Sequence, residues 1–162
     1  GEKNSILKFY EFCCKDYTAN NKINIGTSSF YKWLSNNYED SHRYKNIDKK
    51  NRVEIEYNEP VMRGDEINFL KSKDIFLIAI DVEGSELNVL KGLENILNSV
   101  KFICVECSYK LPREGVNHTP EDIISFLGNH DFRILSCDEN DFAKLPKKSG
   151  KVQIFNLLFE RK

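Results

Sequence analysis

Long apolar segments, an excess of charge of one sign and internal repeats are all missing from this chain of 162 residues. No stretch approaches the ~20 apolar residues that a membrane-spanning helix needs, and the first residues lack the apolar core of a signal peptide. The formal net charge is -1, so nothing in the composition marks a nucleic-acid-binding surface. These absences predict no nucleic-acid or membrane partner, and they make a cytoplasmic location the expectation.

The residues that are present suffice for one globular domain, predicted to span 1–162. Hydrophobic residues make up 40% of the chain and aromatic residues 12%, which is enough to fill a core at this length. Five cysteines, an odd number without a secretory signal, indicate free thiols. Cys104 and Cys107 form a C-x-x-C, but they fall in a predicted strand, where residues three apart point to opposite faces. We therefore interpret them as small apolar side chains rather than as a redox pair or a zinc site.

Alternating strand and helix patterns begin at residue 74 and predict an α/β fold. Residues 75–82 form a nearly solid apolar run, typical of a strand buried on both faces, and 85–98 carry leucines at helical spacing. Thr119 and Pro120 predict the start of the next helix, as N-cap and first helical residue. The order of strand, helix and strand predicts parallel pairing, whereas the last two strands lack a helical connection and are predicted to be antiparallel. The predicted elements are strands at 6–13, 53–57, 75–82, 102–107, 132–137 and 152–160, and helices at 85–98 and 120–128.

Acidic side chains stand where two neighbouring strands of this sheet end. Asp81 and Glu83 follow the first strand, and Glu106 lies near the end of the second. Because ligands of open α/β sheets bind beyond the carboxyl ends of the strands, we expect Asp81 and Glu106 to meet in a crevice. Such a cluster could act as a general base or hold a divalent metal ion. His118, in the loop after the second strand, is a further candidate base.

Each of these residues also has a purely structural interpretation. Asp81 could accept backbone N–H groups in the turn, and Glu83 could cap the following helix. Glu106 could pair with Lys101 or Lys110 at the surface. Glu86, in the first helical turn, is interpreted as compensating the helix dipole, and Gly84 as allowing a tight turn from strand to helix. His118 could be a neighbour of the next helix without a catalytic role.

Residues 80–93, with the sequence IDVEGSELNVLKGL, resemble the FkbM family of S-adenosylmethionine-dependent methyltransferases. The family pattern is roughly K-I-D-V-E-G-x-E-x-x-V-L-K-G, followed by a strand that ends in V-E, as Val105 and Glu106 do here. The resemblance implies a Rossmann-like class I methyltransferase sheet, mostly parallel with an antiparallel C-terminal strand. It also implies S-adenosylmethionine as the cofactor, whose sulfonium charge the acids would help to balance, and methyl transfer to a hydroxyl of a sugar or small metabolite. The predicted catalytic residues are Asp81, Glu83, Glu106 and His118, and the predicted cofactor-binding residues are Asp81, Ser28 and Ser29.

The chain departs from the family in lacking a glycine-rich cofactor turn. It has eight glycines but no G-x-G, and residues 1–10 resemble the family segment that follows the third strand. We therefore expect the C-terminal portion of the domain, with a sheet that lacks its N-terminal strands and exposes an apolar edge. A partner chain or a missing N-terminal segment is expected to cover that edge. Two other functions stay open, a non-catalytic interaction module and a metal-dependent hydrolase that uses the same acids.

Overall fold

A computed structural model of the protein describes residues 4–14, 23–24, 52–71, 73–109, 115–138 and 153–162. Within these ranges the chain forms two separate β-sheets, and helices pack against one of them. The predicted α/β class is therefore confirmed. No helix within the same ranges has the length and apolar character that a bilayer crossing requires.

The first sheet comes from the amino-terminal third of the chain. Strand β1 (Ser5–Cys14) pairs antiparallel with β3 (Arg52–Val61) along its whole length. The short strand β2 (Ile23–Asn24) pairs with the other edge of β1. The strands predicted at 6–13 and 53–57 are confirmed and are longer than predicted. Their pairing had no local signal, because a long connection separates them in the chain.

The second sheet contains the strands of the predicted α/β region. Strands β4 (Ile75–Ile80), β5 (Val100–Tyr109), β6 (Phe132–Cys137) and β7 (Gln153–Arg161) lie in the order β4-β5-β7-β6. β4 and β5 are parallel, and β7 runs antiparallel to both β5 and β6. Three strands therefore share one direction and β7 opposes them. This mixed sheet confirms the predicted antiparallel C-terminal strand.

Short helical segments connect the strands. Among the described residues they are the 3₁₀ turn Gly64–Glu66, α1 (Asn68–Lys71), α2 (Glu86–Gly92), the 3₁₀ helix Glu94–Ser99 and α3 (Pro120–Gly128). The single helix predicted at 85–98 is wrong, because the backbone leaves helical geometry at Leu93, with φ -108° and ψ 0°. The start of α3 is as predicted. The Thr119 hydroxyl accepts the Asp122 N–H at 3.4 Å, and the Asp122 carboxylate accepts the Thr119 N–H at 2.7 Å.

The core lies between one face of the second sheet and helices α2 and α3. On β5, Ile103, Val105 and Cys107 are buried, whereas the residues between them are only partly buried. The other buried side chains of this layer include Leu90, Leu97, Ile123, Leu127, Phe155, Leu157 and Phe159. Burying a side chain of this size stabilises the fold by about 1.5–3 kcal/mol. This packing fixes the carboxyl end of β5, where Glu106 lies, relative to α2 and α3.

Strand β4 does not have the environment that its sequence predicted. The apolar run indicated a strand buried on both faces, but Phe76 is 68% exposed and Leu77 is 48% exposed. Within the described ranges β4 pairs only with β5, so it lies at the edge of the sheet. Its exposed apolar side chains lie at an edge that no other strand of the described residues pairs with.

Candidate functional site

The carboxyl ends of β4 and β5 bring the predicted acids together. Ile80 pairs with Val105, so Asp81 and Glu106 occupy the next matching positions at the end of the two parallel strands. Carboxylate oxygens of Asp81, Glu83 and Glu106 all lie within 4.8 Å of one another. The predicted meeting of Asp81 and Glu106 is thus present, whereas the catalytic roles of these residues stay predictions.

The turn between β4 and α2 holds Glu83 in an unusual conformation. Glu83 has a φ of 52°, and Gly84 follows with a φ of 106°. The left-handed region costs a non-glycine residue about 1 kcal/mol or more, and such residues are concentrated at functional sites. The alternative interpretation of Glu83 as the cap of the following helix is wrong, since Ser85 occupies the N-cap position. The turn instead presents the Glu83 carboxylate to the acidic cluster.

Three carboxylates at this spacing repel one another, and a positive charge among them would relieve the repulsion. A cluster of this kind can hold a cationic group of a ligand. Oxygen-rich sites of this composition also suit hard divalent cations.

A shallow cleft opens beside the cluster, between the end of the sheet and the start of α3. Asp81 is exposed and stands next to this cleft rather than in its wall. The wall combines acidic, hydroxyl, imidazole and apolar groups. It is lined by Glu83, Gly84, Glu86, Glu106, Ser108, Val116, His118, Pro120 and Ile123.

A buried pair, Glu86 and His118, forms part of the cleft wall. The Glu86 side chain is 8% exposed and the His118 side chain 7% exposed. One Glu86 oxygen accepts the Gly84 N–H at 2.8 Å, and the other lies 3.2 Å from Nε2 of His118. Burial raises the pKa of Glu86, but the hydrogen bonds from His118 and the Gly84 N–H outweigh it, so the pKa of Glu86 lies below its usual value. Glu86 is therefore a carboxylate at neutral pH.

This pair escaped the sequence reasoning. The sequence predicts that Glu86 compensates the helix dipole, and it indicates no partner for His118. The two residues are 32 positions apart, so no local pattern connects them. The only available signal was that both lie beyond the carboxyl ends of parallel strands, where side chains from distant segments converge.

Two other groups of predicted residues have different outcomes. Ser28 and Ser29, the predicted cofactor-binding serines, lie outside the described residues, so their role stays a prediction. Cys104 and Cys107 are free thiols on opposite faces of β5, with Cys107 in the core. Burial raises the pKa of the Cys107 thiol, which opposes formation of a reactive thiolate. Cys107 therefore has the environment expected of a small buried apolar side chain, whereas Cys104 is only partly buried.

The fold is α/β, and the cleft lies at the carboxyl ends of parallel strands, where open α/β sheets commonly bind ligands. A family profile described as "Methyltransferase FkbM domain" matches residues 4–134, a span that includes the acidic cluster and His118. The chain belongs to this family of methyltransferases. Searches of curated proteins and of solved structures returned no match.

Family membership implies S-adenosylmethionine as the methyl donor. The described residues fit the positively charged part of this molecule. The donor carries a sulfonium and an ammonium group, and three clustered carboxylates complement positive charge. For the adenosine part, the sequence offers no G-x-G turn. The fit therefore concerns the cationic groups of the donor, which Asp81, Glu83 and Glu106 would hold.

Proposed function

We propose that the protein transfers a methyl group from S-adenosylmethionine to a hydroxyl of a sugar or small metabolite. The observation that carries this proposal is the approach of three carboxylates within 4.8 Å at the ends of β4 and β5, in a chain of the FkbM family. The mixed hydroxyl, acidic and imidazole wall of the cleft suits a polar acceptor.

The chain's own residues would have three tasks in this reaction. When bound, S-adenosylmethionine supplies a methyl group whose carbon–sulfur bond breaks with the electron pair left on sulfur, as the acceptor oxygen bonds to the methyl carbon. Asp81, Glu83 and Glu106 would hold the donor's positive charge. A basic group in the cleft would take the proton that the acceptor hydroxyl loses, and Glu106 and His118 are the candidates. The apolar wall around Ile123 would limit access of water to the reacting groups.

We also propose that residues 1–162 act as a single Rossmann-like domain corresponding to the C-terminal portion of a methyltransferase domain. The open edge of β4 would be covered by a strand from a partner chain or from a preceding segment. The exposure of Phe76 and Leu77 supports this, since apolar edge strands are normally paired or shielded. A strand there would complete the sheet next to Asp81.

Calorimetric binding measurements and activity assays on the full-length protein test the proposed function. We expect S-adenosylmethionine to bind, and S-adenosylhomocysteine to accumulate when sugar acceptors are added. Binding of Mg²⁺ or Mn²⁺ without the methyl donor, together with phosphatase activity, would favour a metal-dependent hydrolase built on the same acids. Binding of neither ligand would favour a non-catalytic interaction module.

A further inference from the structure

We propose that Glu86 is a positioning residue that fixes the His118 imidazole with its proton on Nε2, so that Nδ1 is the base for the acceptor hydroxyl. This assignment rests on the proposed function, which supplies the hydroxyl. It adds to the site a buried residue of the cleft wall that the local sequence marks only as a helix-start acid.

The hydrogen bonds of Glu86 determine which nitrogen of His118 carries the proton. A carboxylate has no hydrogen to donate, so the group that faces it must be an N–H. Nε2 of His118 lies 3.2 Å from one Glu86 oxygen, while the Gly84 N–H occupies the other at 2.8 Å. Each oxygen therefore has a defined partner, and the neutral imidazole is held in the tautomer with hydrogen on Nε2.

Burial makes this constraint effective. The two side chains are 8% and 7% exposed, so water cannot readily replace either partner. A hydrogen bond to a charged group is stronger in such an environment than at the surface. The Gly84 bond also ties the carboxylate to the turn that carries Glu83. Glu86 thus orients both the imidazole and the turn that bears part of the acidic cluster.

The other ring nitrogen has the property that a base requires. With hydrogen on Nε2, Nδ1 of neutral imidazole carries a lone pair. Within the described part of the chain, no hydrogen bond reaches Nδ1 of His118, and the residue lines the cleft together with Glu106 and Ser108. A hydroxyl in the cleft could therefore donate its hydrogen to Nδ1.

The proton balance of this step is simple. The acceptor O–H bond breaks as the oxygen bonds to the methyl carbon, and the proton forms a new N–H bond at Nδ1. The resulting imidazolium has its positive charge next to the Glu86 carboxylate, which stabilises it. The proton then leaves Nδ1 for water, and the ring returns to its starting tautomer.

Glu86→Gln gives a direct test, because glutamine has nearly the same shape. Its amide oxygen can still accept the Gly84 N–H, but its NH₂ group would then donate to Nε2. The ring proton would have to move to Nδ1, and the base would be lost. Nitrogen-15 NMR of the histidine rings in mildly alkaline buffer distinguishes the two tautomers. We expect hydrogen on Nε2 of His118 in the wild-type full-length protein and on Nδ1 in the variant.

The kinetic expectation is a fall in kcat of about 10²–10⁴-fold, the usual contribution of a general base, with little change in the KM for S-adenosylmethionine. Glu94→Gln is the matched control, since Glu94 lies 3.2 Å from Nε2 of the surface residue His130. This control should leave the His118 tautomer and kcat unchanged.

Hydrogen on Nδ1 of wild-type His118, or an unchanged kcat in folded Glu86→Gln protein, would overturn the assignment. If the variant does not fold, the wild-type tautomer alone decides. If the wild-type protein transfers no methyl group to any acceptor, the proposed function fails, while the tautomer still shows whether Glu86 positions the ring.

Discussion

Two glutamate–histidine pairs in the described part of the molecule have the same separation and different surroundings. In each pair a carboxylate oxygen lies 3.2 Å from a histidine Nε2. The Glu86 and His118 side chains are 8% and 7% exposed, whereas those of Glu94 and His130 are 49% and 24% exposed. The first pair lines the cleft at the end of the sheet, and the second lies on the surface between the 3₁₀ helix and the end of α3.

The second ring nitrogen separates the two pairs further. Nδ1 of His130 lies 2.8 Å from the Phe126 carbonyl oxygen, which can only accept, so that nitrogen carries a proton. The ring also packs against the Phe126 ring at a centroid distance of 4.5 Å. His130 is therefore occupied on both sides. An exposed pair of this kind contributes about 0–1 kcal/mol to the free energy of unfolding. The contacts of His130 with Phe126 and Glu94 are those of a surface residue with a structural role.

The largest contrast is expected in catalysis. His118→Ala should lower kcat by about 10²–10⁴-fold, because it removes the proposed base, while His130→Ala should leave kcat unchanged. Initial rates of S-adenosylhomocysteine formation by the full-length protein measure both. Added imidazole should restore part of the rate to the His118 variant. Equal losses in the two variants would remove the distinction between the pairs.

The free energy of unfolding should show the second-largest difference between the two pairs. Glu86→Ala should cost about 1–3 kcal/mol for each of two donors, since it leaves the His118 N–H and the Gly84 N–H buried without their acceptor. Glu94→Ala should cost about 0–1 kcal/mol. Guanidinium unfolding of both variants and the wild type gives these values. Similar losses would mean that the burial of the Glu86 pair has little energetic consequence.

The pH dependence of stability should show the smallest contrast. The pKa of Glu86 is lowered in the folded protein relative to its usual value of 4.5. A lowered pKa stabilises the fold above the unfolded value, and this stabilisation is lost as pH falls through the folded value. The advantage of the wild type over Glu86→Gln should therefore be full at neutral pH and shrink below about pH 4.5. Unfolding of both proteins across this range measures it, and an advantage that grows in acid would contradict the account.

Local patterns were enough to predict most of the second sheet. Apolar runs and helix signals located β4 to β7, and the Thr119 cap located the start of α3. The meeting of Asp81 and Glu106 also followed from sequence, because parallel neighbours must bring their carboxyl ends together. These features depend on residues close in the chain or on a general rule of sheet geometry.

The features that escaped prediction depend on tertiary surroundings. An apolar run does not reveal whether a strand lies inside a sheet or at its edge, so the exposure of Phe76 does not follow from the local pattern. The expectation of an exposed apolar edge comes instead from the missing glycine-rich turn. Leucines at helical spacing fit an α-helix and a 3₁₀ helix almost equally, which hid the break at Leu93. The Glu86–His118 pair required contact between distant segments. Burial, which separates this pair from Glu94 and His130, is not encoded in any short motif.

The central claim is that acids at the carboxyl ends of β4 and β5 form a methyl-transfer site, and two exposed aspartates test it most directly. Asp74 comes immediately before β4 and Asp81 immediately after it. The measurement is the rate of S-adenosylhomocysteine formation by the full-length protein carrying Asp81→Asn or Asp74→Asn. We expect Asp81→Asn to lower kcat by at least about 10²-fold and Asp74→Asn to leave it unchanged. An Asp81→Asn protein as active as the wild type would contradict the account.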